Sequence, residues 1–300
     1  MERVEMPGLS SDLPWQLSAY LLIDGVSVEQ LLQCIYQWYE NPDFELLYRT
    51  TALEPLADIS PCLIRLSGPD DPGLRQFLNN AQQEWGYLIF SDASQVELMA
   101  HLRALLHVKV NGQPAYLRVA DPATIDALLT LESSSHLLGP IITVVTPDRI
   151  SNQWRIHTRS QRHVTLKIPT PYTLSDEQIN ALGAVSFRQN VIELNSYLLQ
   201  SFPSYAEHLE PDQRWQHIHT LATQAYAQGF CSALDITQYA RIHALLGENA
   251  LQEHHDIAAL VLESSSRTPS QRIEFAAQIA QLRAQKLLPI PEQLSQGVVR

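Results

Sequence analysis

Apolar positions change rhythm along this chain. The first half carries short continuous runs closed by turn residues, and the second half carries stripes at every third or fourth position. Ala19-Tyr20-Leu21-Leu22-Ile23 closes at Asp24-Gly25, which predicts a strand ending in a turn. Ser27 precedes Val28, Leu31, Leu32, Ile35 and Tyr36 at helical spacing, so a helix is expected from there to a stop at Pro42 and Asp43. Strands are predicted at 62–66 and 87–90, with a helix over 74–83 between them. Ser94 and Glu97 have capping-box spacing before a helix whose apolar positions Val96, Met99, Leu102 and Leu106 are interrupted by Arg103. The turn Asn111-Gly112-Gln113-Pro114, between 107–110 and 115–119, predicts a hairpin. Asp121-Pro122 opens a helix from 123 to about 131, and two more strands are expected at 141–145 and 152–158.

The pattern turns helical after Ile168-Pro169-Thr170-Pro171-Tyr172, where two prolines predict a linker over 169–172. Ser175 with Gln178 and Thr268 with Gln271 repeat the capping-box spacing, the second with Pro269 at the first helical position. Ile218, Leu221, Ala222 and Ala225 form one stripe. Ile236, Tyr239, Ala240, Ile242 and His243 form another, and Ile273, Ala276, Ala277 and Ala280 a third. The expected fold class is α+β: a mixed sheet-and-helix domain over 1–168, then an all-helical bundle over 173–300.

Charge narrows the function. The 20 Lys+Arg against 32 Asp+Glu leave a net charge of -12, and no basic cluster exists to neutralise a phosphate backbone. Nucleic acid is therefore not an expected partner. Lys109, Lys167 and Lys286 are the only lysines, so arginine supplies the remaining cations, scattered singly. Cys34, Cys62 and Cys231 are too far apart for a zinc ribbon and odd in number, which predicts free, reduced thiols. The first residues are acidic without an apolar run, and no uncharged stretch reaches membrane-spanning length, so a cytoplasmic protein is expected.

Catalytic signals are sparse. His217 and His219 are two apart, which on a helix points them to different faces, so they cannot share a metal without a third element, and neither a nucleophile elbow nor a phosphate-binding loop occurs. No catalytic residue, metal site or cofactor is assigned. Asp24, Asp92 and Asp121 each stand where a strand gives way to a turn or helix. That place suits a catalytic carboxylate, and it suits a turn or cap aspartate more often. A hydrolase or transferase with a shallow site around these three is the alternative, and it requires them to converge. Tyr36, Trp38 and Tyr39 lie so close on one predicted helix that they cannot all face one core. With Trp85 and Trp154 they are the candidate partner-binding residues, since large aromatics dominate interfaces.

One ordered set of motifs runs through the first half: Leu22-Ile23-Asp24-Gly25, Leu47-Tyr48-Arg49, residues 56–66, Trp85-Gly86-Tyr87-Leu88-Ile89-Phe90-Ser91, His101-Leu102-Arg103, and Tyr116 to Pro122. In that order they resemble the domain-of-unknown-function family found in adaptor chaperones of bacterial type VI secretion systems. The resemblance covers roughly residues 19–145 and departs where Leu117-Arg118-Val119-Ala120 replaces the family's aromatic-rich strand before Asp121-Pro122. It implies a non-enzymatic protein that holds a toxic effector, typically by its N-terminal segment, and helps load it onto the spike protein of the secretion tube. The implied partners are thus an effector and a spike protein, with a structural role in the secretion machine as a further alternative. The pattern residues Asp24, Gly25, Gly86, Ser91, Asp121 and Pro122 are expected to be structural, and cargo is expected in a groove, along a sheet edge, or clasped between the two domains.

Overall fold

In the first half, chain order is β1 (Ser18–Ile23), α1 (Leu31–Trp38), β2 (Phe44–Leu46), β3 (Cys62–Leu66), α2 (Pro72–Asn79), β4 (Gly86–Ser91) and α3 (Gln95–Leu106). There follow β5 (His107–Val110), β6 (Gln113–Tyr116), α4 (Pro122–Leu129), β7 (Ile141–Asp148), β8 (Gln153–Thr158) and β9 (Tyr172–Thr173). The second half contains α5 (Asp176–Ser201), α6 (Pro211–Ala227), α7 (Ala233–Leu246), α8 (Ala250–Glu253), α9 (His255–Leu262) and α10 (Pro269–Leu287). This computed structural model describes residues 6–159, 168–263 and 265–287. The first five residues, whose composition bears on a leader, lie outside that set. The α+β class expected from the pattern is the one found.

Six strands form an antiparallel sheet in the order β2-β3-β1-β4-β7-β8. Both faces of its centre are buried, which explains why 19–23 is a continuous apolar run and does not alternate. Ala19, Leu21 and Ile23 join Ile64, Leu88 and Phe90 in one core with Leu31 and Ile35 of α1 and Leu74 and Phe77 of α2. Tyr20 and Leu22 join Tyr87, Ile89 and Val144 in the other, with Leu98, Met99 and Leu102 of α3 and Ile125 and Leu128 of α4. Each such aliphatic side chain removed from water contributes on the order of 2 kcal/mol.

Local signals set most boundaries. Ser94 and Glu97 cap α3 reciprocally, and Asp121 caps α4 through the Thr124 N–H at 3.0 Å. The hairpin turn is tighter than expected: Asn111 and Gly112 both take positive φ, at 51° and 78°, and β6 starts at Gln113. The chain leaves β6 at Tyr116, so 117–119 is not strand. Helix α1 begins at Leu31, four residues after Ser27. The Ser27 hydroxyl donates to the Asp24 carboxylate at 3.0 Å, and Gln30 takes a left-handed φ of 54° that no helix continues through.

The proline-rich segment expected as a linker belongs to the first unit. Tyr172 and Thr173 pair in parallel with Val108 and Lys109, and Ile168 and Leu174 are buried in the α3–α4 core. The Gln178 amide donates to Ser134 Oγ at 2.8 Å, and its carbonyl accepts from the Ser175 N–H at 3.0 Å. The two compact units divide at Val185 and Ser186, inside α5. In the second unit Val191, Leu194 and Leu198 of α5 share a core with the predicted stripes of α6, α7 and α10. Alanines 276, 277 and 280 on α10 are buried there, and the Ser270 hydroxyl donates to Asp235 at 3.0 Å.

One partly buried histidine makes the first unit sensitive to acid. His101 of α3 lies in a tight niche, its Nε2–H donating to the Leu137 carbonyl at 2.9 Å while a Cβ on Gly139 would meet the ring at 2.2 Å. Burial pushes its pKa from 6.5 down to about 4, against a smaller upward pull from the Leu137 carbonyl. The unfolded chain therefore takes up a proton that the folded chain refuses between those values. Stability is full above pH 6.5 and falls as pH drops toward 4, by about 3 kcal/mol. Urea midpoints at pH 7 and 4.5 measure this. A His101→Gln variant with the same pH slope would contradict it.

Candidate functional site

The motif segments meet at the sheet end where β1 exits and β4 enters. The Asp24 N–H donates to the Trp85 carbonyl at 2.8 Å. Gly25 is pressed so closely on residues 59–60 that a Cβ would lie 2.5 Å from the Ser60 carbonyl oxygen. Gly86 pairs with Ile23, and a Cβ there would lie 1.9 Å from the Leu22 carbonyl oxygen. The Asp24 carboxylate is 4% exposed and accepts from the Val26 N–H at 3.2 Å, the Ser27 hydroxyl at 3.0 Å and Arg118 Nη2 at 2.5 Å.

Arg118 comes from a turn closed by the Asp121 N–H on its own carbonyl, at 3.1 Å. The buried Tyr87 hydroxyl fixes that turn by donating to the Val119 carbonyl at 2.6 Å. Burial, with the charge of Asp121, pushes the Tyr87 phenol well above its usual range. Tyr48 is also raised, by burial first and then by Asp24, with Arg118 pulling the other way. Burial alone would lower the Arg118 pKa, and the Asp24 hydrogen bond and charge outweigh it. Chemically the arrangement is a latch: Asp24 ties three chain segments, its carboxylate holding the 24–27 turn and Arg118 and its backbone N–H holding Trp85.

Arg118→Ala is expected to destabilise the first unit by about 1–2 kcal/mol. The guanidinium is 60% exposed and screened, while Asp24 keeps its two local donors. Denaturant midpoints check this, and Arg118→Lys should recover part of the loss. An unchanged Arg118→Ala midpoint would remove the latch.

Arg103 is a second tie that the pattern showed only as a polar interruption. Its guanidinium donates to the Leu47 carbonyl at 3.1 Å, the Leu46 carbonyl at 3.1 Å and Glu45 Oε1 at 3.0 Å. An arginine inside an otherwise apolar helical stripe was the available signal.

Asp92 lies at the opposite sheet end from Asp24. Strands β1 and β4 run antiparallel with Ser18 facing Ser91 and Ile23 facing Gly86, which sets the two aspartates roughly 20 Å apart. Asp121 caps α4, with Pro122 at the first helical position. The three carboxylates do not converge, so the shallow site of the enzyme alternative is not built. Ser91 donates to the Pro140 carbonyl at 2.8 Å and receives the Ala93 N–H at 3.1 Å, which makes it a turn residue.

The five aromatics share the α1–α2 side of the sheet. Trp38 stacks on Trp85 with ring centroids 6.4 Å apart. Tyr39 donates its hydroxyl to Asp71, the N-cap of α2, which also receives the Gly73 N–H at 2.9 Å. Burial and the Asp71 hydrogen bond push the Tyr39 phenol above its usual range. Trp154 tilts against Phe77 at 5.9 Å and donates Nε1–H to the Pro7 carbonyl at 2.7 Å. Tyr36, edge-on to Phe44, is the open one, at 64% exposure.

Cys62 is buried, and burial pushes its thiol up to about 12; Cys34 is half-buried and Cys231 exposed, all three unbridged. Among the described residues no three metal-ligating side chains gather, and no helix is long and apolar enough to cross a membrane.

The latch, the glycine contacts and Arg103 all fall inside one region of similarity to known proteins. The model of the domain of unknown function DUF4123 matches residues 19–137. The chain is 29% identical over 274 residues to Accessory protein VasW of Vibrio cholerae serotype O1 (strain ATCC 39315 / El Tor Inaba N16961), with 90% of each chain covered. That likeness necessarily takes in the larger part of both units. No solved structure matches this chain. The ordered motifs, the way they interlock and the domain match fall on the same residues: 19–137 are similar to the domain of unknown function DUF4123, and most of the chain is similar to a protein named as an accessory protein.

Proposed function

We propose that this protein is a cytoplasmic adaptor that binds a type VI secretion effector and helps load it onto the spike protein, acting by stoichiometric binding and without catalysis. The observation that carries the reading is the domain match over 19–137, joined to likeness over 90% of the chain with a protein named as an accessory protein. The geometry supports it in one respect. Asp24 is held by Arg118, Gly25 and Gly86 allow close backbone approaches, and Arg103 and Asp121 bond the backbone, so these motif residues build a frame whose outer surface is left to meet a partner. Tyr36, Trp38, Tyr39, Trp85 and Trp154 lie on one side of that frame, and Tyr36 offers exposed ring area of the kind that anchors interfaces.

Co-expression with a candidate effector tests the proposal. A rise in soluble effector that depends on this protein, with the two recovered together, supports it. Recovery of neither effector nor spike protein with a tagged chain sinks it.

A further inference from the structure

Sheets recruit extended chains at open edges, and native proteins blunt the edges they do not use. The described strands present four edges. On β2, the Arg65 N–H bonds the Asp43 carbonyl and the Leu47 N–H bonds the Pro61 carbonyl, so 43, 45 and 47 face β3 and Leu46 faces outward. The outward Leu46 carbonyl is occupied by Arg103 at 3.1 Å. On β6, the Leu117 N–H bonds the Leu106 carbonyl, which turns 113 and 115 inward and Pro114 outward, where it has no N–H to offer. Strand β9 is two residues long.

Strand β8 differs. The Arg159 N–H bonds the Ile142 carbonyl at 2.9 Å, so 157, 155 and 153 face β7, while Trp154, Ile156 and Thr158 turn their N–H and C=O groups outward. No described strand pairs with them. Over the sheet face next to this edge lies a groove of about 560 Å³, walled by the 10–17 arm, floored by Ile142 and Thr143 of β7, and bounded toward the edge by Ile156 and Thr158. Ile156 is 47% exposed there. The charged side chains in the lining are both acids, Asp12 and Asp92.

We infer that β8 is the edge on which the effector adds a strand. An extended segment pairs with Trp154, Ile156 and Thr158, sets alternate apolar side chains in the groove, and brings a basic side chain to Asp12 and Asp92. The inference rests on the adaptor reading and names the place and chemistry of its contact. It selects β8 over β2 and β6 because those edges carry a built-in stopper.

Hydrogen exchange on the intact protein, free and with the purified effector recovered by co-expression, tests it. The outward amides of residues 154, 156 and 158 are expected to slow about tenfold or more in the complex. Asp12→Lys with Asp92→Lys should weaken the complex on the order of tenfold, and the milder Asp12→Asn with Asp92→Asn less, with unchanged circular dichroism. A complex that forms with those amides unprotected, or with full affinity after charge reversal, overturns the β8 assignment and leaves the adaptor function standing. Absence of any complex overturns both. Protection that grows with the protein's own concentration and without effector gives the edge to a second copy and overturns the assignment as well.

Discussion

Gly86→Ala is expected to remove about 3 kcal/mol or more from the first unit, a fall in melting midpoint of roughly 6–12 °C. The added Cβ would stand 1.9 Å from the Leu22 carbonyl oxygen and 2.8 Å from the Ile23 Cα, both backbone atoms of the central strand β1. No side chain can swing away there; the β1–β4 ladder itself must open, between two cores that are buried on either face. Gly183 supplies the control, because a Cβ there meets nothing within 4 Å and the residue lies within α5. Gly183→Ala should leave stability unchanged or raise it by up to about 1 kcal/mol. Thermal melts of the two variants give the comparison, and equal midpoints would contradict the close approach.

Arg103→Ala carries the second large effect, about 2–3 kcal/mol. It strips donors from the Leu46 and Leu47 carbonyls and the partner from Glu45 in one change. Arg103→Lys should recover less than half, since one ammonium cannot reproduce a planar fork that reaches three acceptors. The loss has a second signature: β2 becomes an open edge, so the variant should self-associate at concentrations where the parent does not. Denaturant midpoints and light scattering read the two effects. A midpoint within about 0.5 kcal/mol of the parent, with no association, would refute the role of Arg103.

What was legible in the sequence is what short-range chemistry dictates. The runs at β1, β3 and β4, the Ser94–Glu97 box and the Asp121-Pro122 start stand where their residues put them. The failures share a cause in long-range contacts. Ser27 has the composition of a helix cap and serves Asp24 instead. Phe44–Leu46 is three half-buried residues with no periodicity of their own, held by β3 and Arg103. Pro169 to Tyr172 has linker composition, and its place is fixed by β5 and by the Gln178 network.

The site shows the same division. Asp24-Gly25 and Trp85-Gly86 were visible as motif residues, while the reason for them was not. Asp24 and Arg118 are 94 positions apart, and nothing local announces that they meet at 2.5 Å. The three aspartates suspected of chemistry were visible as strand-end residues, but only strand direction shows Asp92 at the far end from Asp24. In the aromatic cluster 36–39 the helix ends at Trp38, with Tyr39 extended beyond it; Trp38 covers Trp85 and Tyr36 stays open.

The central claim is delivery of a particular cargo, and deletion of this chain's gene from the bacterium tests it most directly. Culture supernatants are then assayed for the candidate effector and for the tube protein of the secretion machine. An adaptor predicts that the effector disappears from the supernatant while the tube protein is still released, and that the intact gene restores the effector. Continued release of effector, or loss of the tube protein along with it, would contradict the account.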